Sequence, residues 1–154
     1  MKKTFHRIIM SALLTVLATV AASAQCYIVG SDNEWKTNTA AAELTETATT
    51  GVYEGDVTFV DGAQYFAVTQ HLTTGDADWT EFNKNRFAPS VFGAMLVINE
   101  PMTMVKGRDA SFKVPVAGTT YRMRIDFNTL TVTLLGDFPD KLYVWGSDGV
   151  FDPT

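Results

Sequence analysis

Apolar and polar residues alternate most regularly towards the end of the chain. Between Tyr121 and Phe127, the residues Tyr121, Met123, Ile125 and Phe127 fall on one face and Arg122, Arg124 and Asp126 on the other. Between Leu130 and Leu135, the residues Leu130, Val132 and Leu134 alternate with Thr131 and Thr133. A period of two is what a half-buried antiparallel strand requires, and Asn128-Thr129 supplies a tight turn between the pair. The same signal recurs upstream in shorter pieces. Tyr27-Ile28-Val29 is an apolar run ended by Gly30, and Val52 to Phe59 places Val57 and Phe59 on one face. Met95 to Ile98 is closed by Glu100-Pro101, and Ser111 to Val116 is turned by Ala117-Gly118. Asp61-Gly62 reads as a hairpin turn, since glycine reaches positive φ without steric cost, and predicts that Gln64 to Thr69 returns as the partner of Val52 to Phe59. The polar stretches Ser31 to Thr50 and His71 to Ala88 read as loops. Within the first, Thr37 to Glu46 is the one segment with helical character, but it lacks an apolar stripe and is assigned to loop. About seven short strands separated by turn signals predict an all-β domain, an immunoglobulin-like antiparallel β-sandwich, with a barrel as the alternative.

Both ends of the chain depart from this pattern. Met1 to Arg7 is basic, Ile8 to Val20 is apolar and too short to span a bilayer comfortably, and Ala22-Ser23-Ala24 is a small-x-small cleavage site. Residues 1–24 therefore read as a signal peptide, and the mature chain is expected to begin at Gln25-Cys26. A membrane anchor is the rival reading, but no charged stop-transfer flank follows. Export places the protein outside the cell or at an outer-membrane surface, with the periplasm as a further compartment. A lipidated N-terminal cysteine would need a small residue before it, where this chain has Gln25, so association with an outer membrane stays open. At the other end, Gly136 to Asp140 has linker character, and Leu142-Tyr143-Val144-Trp145-Gly146-Ser147-Asp148 resembles Tyr27-Ile28-Val29-Gly30-Ser31-Asp32 at an offset of 116 residues. The expected organisation is one domain over 25–137, then a linker and the first strand of a second repeat over 138–154.

Charge and cysteine usage narrow the function. The 154-residue chain has a formal net charge of −5; without residues 1–24 it keeps 9 Lys and Arg against 17 Asp and Glu, a net charge of −8. Such a surface repels phosphate backbones, which argues against nucleic acid as a partner. Cys26 is the only cysteine, so neither an intrachain disulfide nor a thiolate metal cluster is available. His71 is the only histidine after residue 24, and no Gly-x-Ser-x-Gly elbow accompanies it. Asp76-Ala77-Asp78 alternates carboxylates as calcium loops do, but the remaining ligands and the expected glycine are missing. No catalytic residue, metal site or cofactor is assigned.

Several segments together carry a resemblance. They are Tyr27-Ile28-Val29-Gly30-Ser31-Asp32-Asn33-Glu34-Trp35, Gly51-Val52-Tyr53, Tyr65-Phe66-Ala67-Val68-Thr69, Trp79, Asn83 to Pro89, and the closing hairpin Gly118 to Leu134. The first looks like the opening strand of starch-type carbohydrate-binding modules. Together they resemble the tandem domains of SusE/SusF-type outer-membrane starch-binding proteins and related secreted repeat proteins, over most of residues 26–135. The resemblance implies a non-catalytic role in binding polysaccharide or oligosaccharide. The residue before Cys26 departs from the lipoprotein pattern of that group.

Sugar recognition needs an aromatic face for the C–H side of the ring and a few polar groups for its hydroxyls. Two regions offer this mixture. One holds Asp32, Asn33, Trp35 and Lys36; the other holds Asp78, Trp79, Glu81, Asn83, Lys84 and Arg86. The candidate ligand-binding residues are Trp79, Trp35, Asn83, Arg86, Lys36 and Asp78. Each has a plainer role open to it: Trp35 can cap the core, Trp79 can pin its loop, and Arg86 can hold backbone carbonyls. A structural or adhesive spacer repeat, and an accessory domain of a truncated secreted glycoside hydrolase, are the alternative functions.

Overall fold

The computed structural model describes residues 25–136. The signal peptide read over 1–24 and the linker and second repeat read over 138–154 lie outside the described residues. The described chain is all-β apart from one short helix, as the alternation predicts. In chain order the strands are β1 (Cys26–Gly30), β2 (Ala42–Glu46), β3 (Val52–Thr58), β4 (Tyr65–Thr69), β5 (Arg86–Ala88), β6 (Ala94–Met95), β7 (Met102–Thr103), β8 (Val105–Lys106), β9 (Phe112–Lys113), β10 (Thr120–Asp126) and β11 (Thr131–Leu135), with helix α1 (Trp79–Asn85) between β4 and β5.

These strands form one curled sheet in the order β6-β9-β4-β1-β2-β3-β10-β11-β7. The path has two halves joined through β2, whose first residues pair with β1 and whose last pair with β3. Short segments link the halves again elsewhere. Leu96 donates its amide to Lys113 O while Ile98 bridges to Leu134, and β7 pairs with β11 just before β8 pairs with β5. The immunoglobulin-like sandwich was the finer expectation; the strands adopt this continuous, curled path around a shared core.

That core is built where the period-two pattern points. Met123, Ile125, Val132 and Leu134 from one half meet Ile28, Phe66, Val68 and Phe112 from the other in one buried cluster. Phe59 lies across from Phe66 at 5.6 Å between ring centroids. Cys26 is fully enclosed here, and burial pushes its thiol well above the ordinary range. On the outward face, Arg122 and Arg124 of β10 stand in register with Asp56 and Glu54 of β3. Glu54 takes 3.1 Å and 2.7 Å hydrogen bonds from Arg122 and Arg124 while remaining only 17% exposed. The Arg124 bond, more than any other cause, holds its carboxyl below the usual range, against burial, which raises it. This contribution to stability is therefore present above the unfolded carboxylate pKa, about 4.3, and is lost as pH falls through the lower folded value. The gap between thermal melts of the wild type and Glu54→Gln should be widest near neutral pH and should narrow as acidification passes below the unfolded carboxylate range. A gap that stays constant across that range would refute this assignment.

Three local expectations are corrected. Gln64 to Thr69 does not return beside Val52 to Phe59. The Val60–Ala63 turn exists, with Gly62 at φ 82°, but it carries the chain from one half to the other. β3 pairs with β2 and along seven positions with β10, while β4 pairs with β1, β5 and β9. The long register with β10 brings Tyr53 and Val57 opposite Ile125 and Tyr121, all buried, which a local hairpin with β4 would forgo. The Thr37 to Glu46 segment, assigned to loop, contains β2. The His71 to Ala88 segment, also assigned to loop, contains α1 and β5.

The half containing β1 and β4 is buried on both faces. Ile28, Phe66 and Val68 face the main core; Val29 and Ala67 point the other way and pack with Phe82 of α1, with Trp35 and Leu72 against them. Double burial explains why β1 and β4 read as continuous apolar runs rather than alternating ones. It also places Trp35 and α1, with Trp79, on the same outer face.

Candidate functional site

The loop after β1 begins with a tight approach. Gly30 is in register with Phe66, and the chain then makes a single 3-10 turn, Ser31–Asn33. Asn33 organises the rest of this loop: its Oδ1 accepts from Gly30 N at 2.9 Å, and its Nδ2 donates to Lys36 O at 2.8 Å and Thr39 O at 2.7 Å. Asp32 Oδ1 accepts from Val60 N at 2.7 Å. Glu34 and Trp35 both sit at positive φ, 56° and 59°. The left-handed region costs roughly 1–2 kcal/mol for a residue with a side chain. It is held here by hydrogen bonds from Glu34 N to Ser31 O and from Trp35 N to Gly30 O. Strain of this kind concentrates at binding and catalytic sites. Its result here is to turn the Trp35 indole over the outer face.

Thr37 ties this loop to the one before α1. It is fully buried; its Oγ1 lies 2.6 Å from Thr73 Oγ1, donates to Gly75 O at 2.9 Å and accepts from Asp78 N at 3.2 Å. Asp78 then caps α1, accepting from Glu81 N at 3.1 Å. Phe82 on the inner face of α1 is fully buried, which leaves Trp79 at the start of the helix outermost, 39% exposed. The Trp35 and Trp79 rings meet at 6.4 Å between centroids with a 48° tilt, and Trp79 meets Phe82 edge to face at 5.9 Å.

Arg86 comes directly after α1 and is the buried cation of the site, its side chain 5% exposed. Its Nε donates to Arg108 O at 2.7 Å, and its Nη2 donates to Asp109 Oδ1 at 2.7 Å and to Ala110 O at 2.6 Å. The guanidinium also lies 5.8 Å from the Phe82 ring centroid. Burial pulls it below its ordinary pKa and Asp109 opposes that shift, but arginine remains charged throughout. Arg86 thus holds the 108–111 segment in place. The same segment anchors the next turn: Ser111 O accepts from Gly93 N and Arg108 donates to Ser90 O, and between them Phe92 projects 70% exposed, stacked on Tyr65 at 5.8 Å. The outcome is an open cleft of about 270 Å³ lined by Trp35, Trp79, Arg86, Phe92, Asp109, Ala110 and Ser111.

The fold therefore brings three of the six candidate residues into one cleft: Trp35, Trp79 and Arg86. The other three lie outside its lining. Lys36 pairs with Glu34 at 3.0 Å, Asp78 caps the helix, and Asn83 is partly buried on α1 with an unpartnered Oδ1. Phe92, Asp109 and Ser111 were not legible as site residues in the sequence. For Phe92 the apolar pair Val91-Phe92 before Gly93, outside any alternating run, is a signal the sequence carries; Asp109 and Ser111 have none. Among the described residues, no three His, Cys, Asp or Glu side chains converge as a metal site, and no helix is long and apolar enough to cross a membrane. No protein-family model matches this chain, no curated protein matches it, and no solved structure matches it.

Proposed function

We propose that this protein is a non-catalytic glycan-binding module, exported and acting outside the cytoplasm, whose ligand is a polysaccharide or oligosaccharide of the starch or α-glucan kind. The observation that carries the reading is the meeting of Trp35, from the loop after β1, and Trp79, from the start of α1, in one open cleft with an arginine and a carboxylate. Aromatic faces beside a small number of placed polar groups are what a pyranose needs. The cleft's titratable side chains are Arg86 and Asp109, which are paired with each other, whereas glycoside hydrolysis takes two carboxyl groups flanking the bond. The resemblance of the Gly30 to Trp35 opening and the closing hairpin to SusE/SusF-type domains points to the same ligand class and to the cell surface.

Affinity electrophoresis through gels containing starch, other α-glucans and host-type glycans tests the reading. Retardation by one of them should weaken about tenfold in Trp79→Ala, the loss of about 1.4 kcal/mol of ring stacking. The variant should still fold, which circular dichroism checks, because Phe82 and not Trp79 seals α1 onto Val29 and Ala67. A protein that no glycan retards is instead a spacer or adhesive repeat.

A further inference from the structure

The cleft has a second aromatic wall, apart from the tryptophans. Phe92 lines it from the turn between β5 and β6 and is 70% exposed, more than any other large apolar side chain among the described residues. Leaving a phenyl ring in water forgoes the gain of burying it. The fold nonetheless holds this ring in place. Ala94 N donates to Val91 O, and Gly93, at φ 69°, donates its amide to Ser111 O, which closes the turn around the ring. Tyr65 stacks against it at 5.8 Å between centroids with the planes 22° apart, and Lys113 Nζ lies 5.7 Å from the Tyr65 centroid. Phe92 makes its ring contact with Tyr65, whereas Trp35 meets Trp79. The lining therefore carries two separate aromatic platforms, and Asp109, its side chain 84% exposed, shares it with both.

We propose that Phe92 is a specificity-determining residue for chain length, stacking on one sugar unit of a chain while another unit lies on Trp35 and Trp79. The inference rests on the glycan reading and adds to it that the cleft reads more than one unit of the same chain. A single pyranose laid on the tryptophans leaves the Phe92 ring in water. A further unit of the same chain covers it, and because glycosidic bonds tether that unit, the second contact costs little extra translational freedom. The size agrees: at about 270 Å³ the open cleft approaches the ~300 Å³ from which pockets take drug-sized ligands, closer to a short oligosaccharide than to one sugar. Asp109 holds Arg86 through Oδ1, and its other oxygen is open to hydroxyls of the bound chain.

NMR titration of the whole chain with glucose, maltose, maltotriose and maltoheptaose, read on the protein's indole N–H signals, is the test, because it measures weak binding as well as tight. Phe92→Ala should lose about tenfold in affinity for maltoheptaose and nothing for glucose. Phe92→Tyr, which keeps the flat face, should match wild type on both. Phe92→Leu, which keeps apolar bulk without a flat face, should behave as the alanine variant does. Circular dichroism checks that each variant folds, as is expected for so exposed a side chain, and the leucine variant carries the comparison if the alanine variant does not fold. Maltoheptaose bound as tightly by Phe92→Ala or Phe92→Leu as by wild type would mean that Phe92 stacks on no sugar, and the inference falls. An equal loss for glucose and maltoheptaose would mean that both walls clasp a single unit, and it falls as well. The glycan reading survives either result. No binding by any of these sugars removes the α-glucan reading and this inference with it.

Discussion

Gly30→Ala is expected to destabilise the protein by about 3 kcal/mol, the upper part of the range for overpacking, which corresponds to a melting temperature lower by roughly 10–20 °C. Gly30 has extended backbone, φ −177°, so the requirement is one of space and not of conformation. A Cβ at this position would fall on the Tyr65 carbonyl oxygen and lie 2.8 Å from Phe66 Cα. Those are backbone atoms of β4, the strand that joins β1 to β5 and β9, so they cannot move aside without opening the ladder. The damage should also reach the cleft, because Gly30 O accepts from Trp35 N and Gly30 N donates to Asn33. Gly75→Ala is the control: nothing lies within 4 Å of the point its new methyl group would occupy, and its effect should stay within about 0.5 kcal/mol. Urea or thermal unfolding of the two variants decides the matter. Equal stabilities would mean that β1 and β4 do not approach as closely as described.

Arg86→Ala is expected to cost a similar amount, about 3 kcal/mol, for a different reason. The substitution strips hydrogen bonds from Arg108 O and Ala110 O and removes the side chain's packing over Phe82. Arg86→Lys should recover little, because an ammonium lacks the planar fork that reaches two carbonyls and a carboxylate together. Asp109→Asn should cost far less, since Asp109 is exposed and the two carbonyl bonds remain. Melts of these variants, alongside the glycan retardation assay, separate a residue that builds the cleft from one that only touches ligand. A stable, binding-competent Arg86→Ala protein would show that the 108–111 segment needs no such anchor.

The sequence by itself determined the all-β class, and it did so through β10 and β11. Their alternation records which side chains are buried: Met123, Ile125, Val132 and Leu134 are all fully enclosed, while Leu130, expected on the same face, sits at φ 54° in the turn before β11 and is 40% exposed. It also determined the hairpin between them, where Asp126 Oδ1 accepts from Asn128 N and Thr129 N. Trp35 and Trp79 were legible as site candidates because large aromatic residues in polar stretches have no local reason to be there. Tertiary structure alone decided the partners. Asp61-Gly62 signals a turn, but a turn does not say which strand will enter register beside the last; the seven-position match with β10 outweighed the neighbour in sequence. Helix α1, at seven residues, is too short to be stable from its own propensity or to show a period. It forms because Asp78 caps it and Phe82 seals the outer face of Val29 and Ala67. Phe92, Asp109 and Ser111 became part of the site through the pairing of β9 with β4 and the reach of Arg86 across to residues 108–110. Local pattern reports which side of a strand loses water; which other segment covers that side is a sum over distant contacts, and no single stretch of sequence carries it.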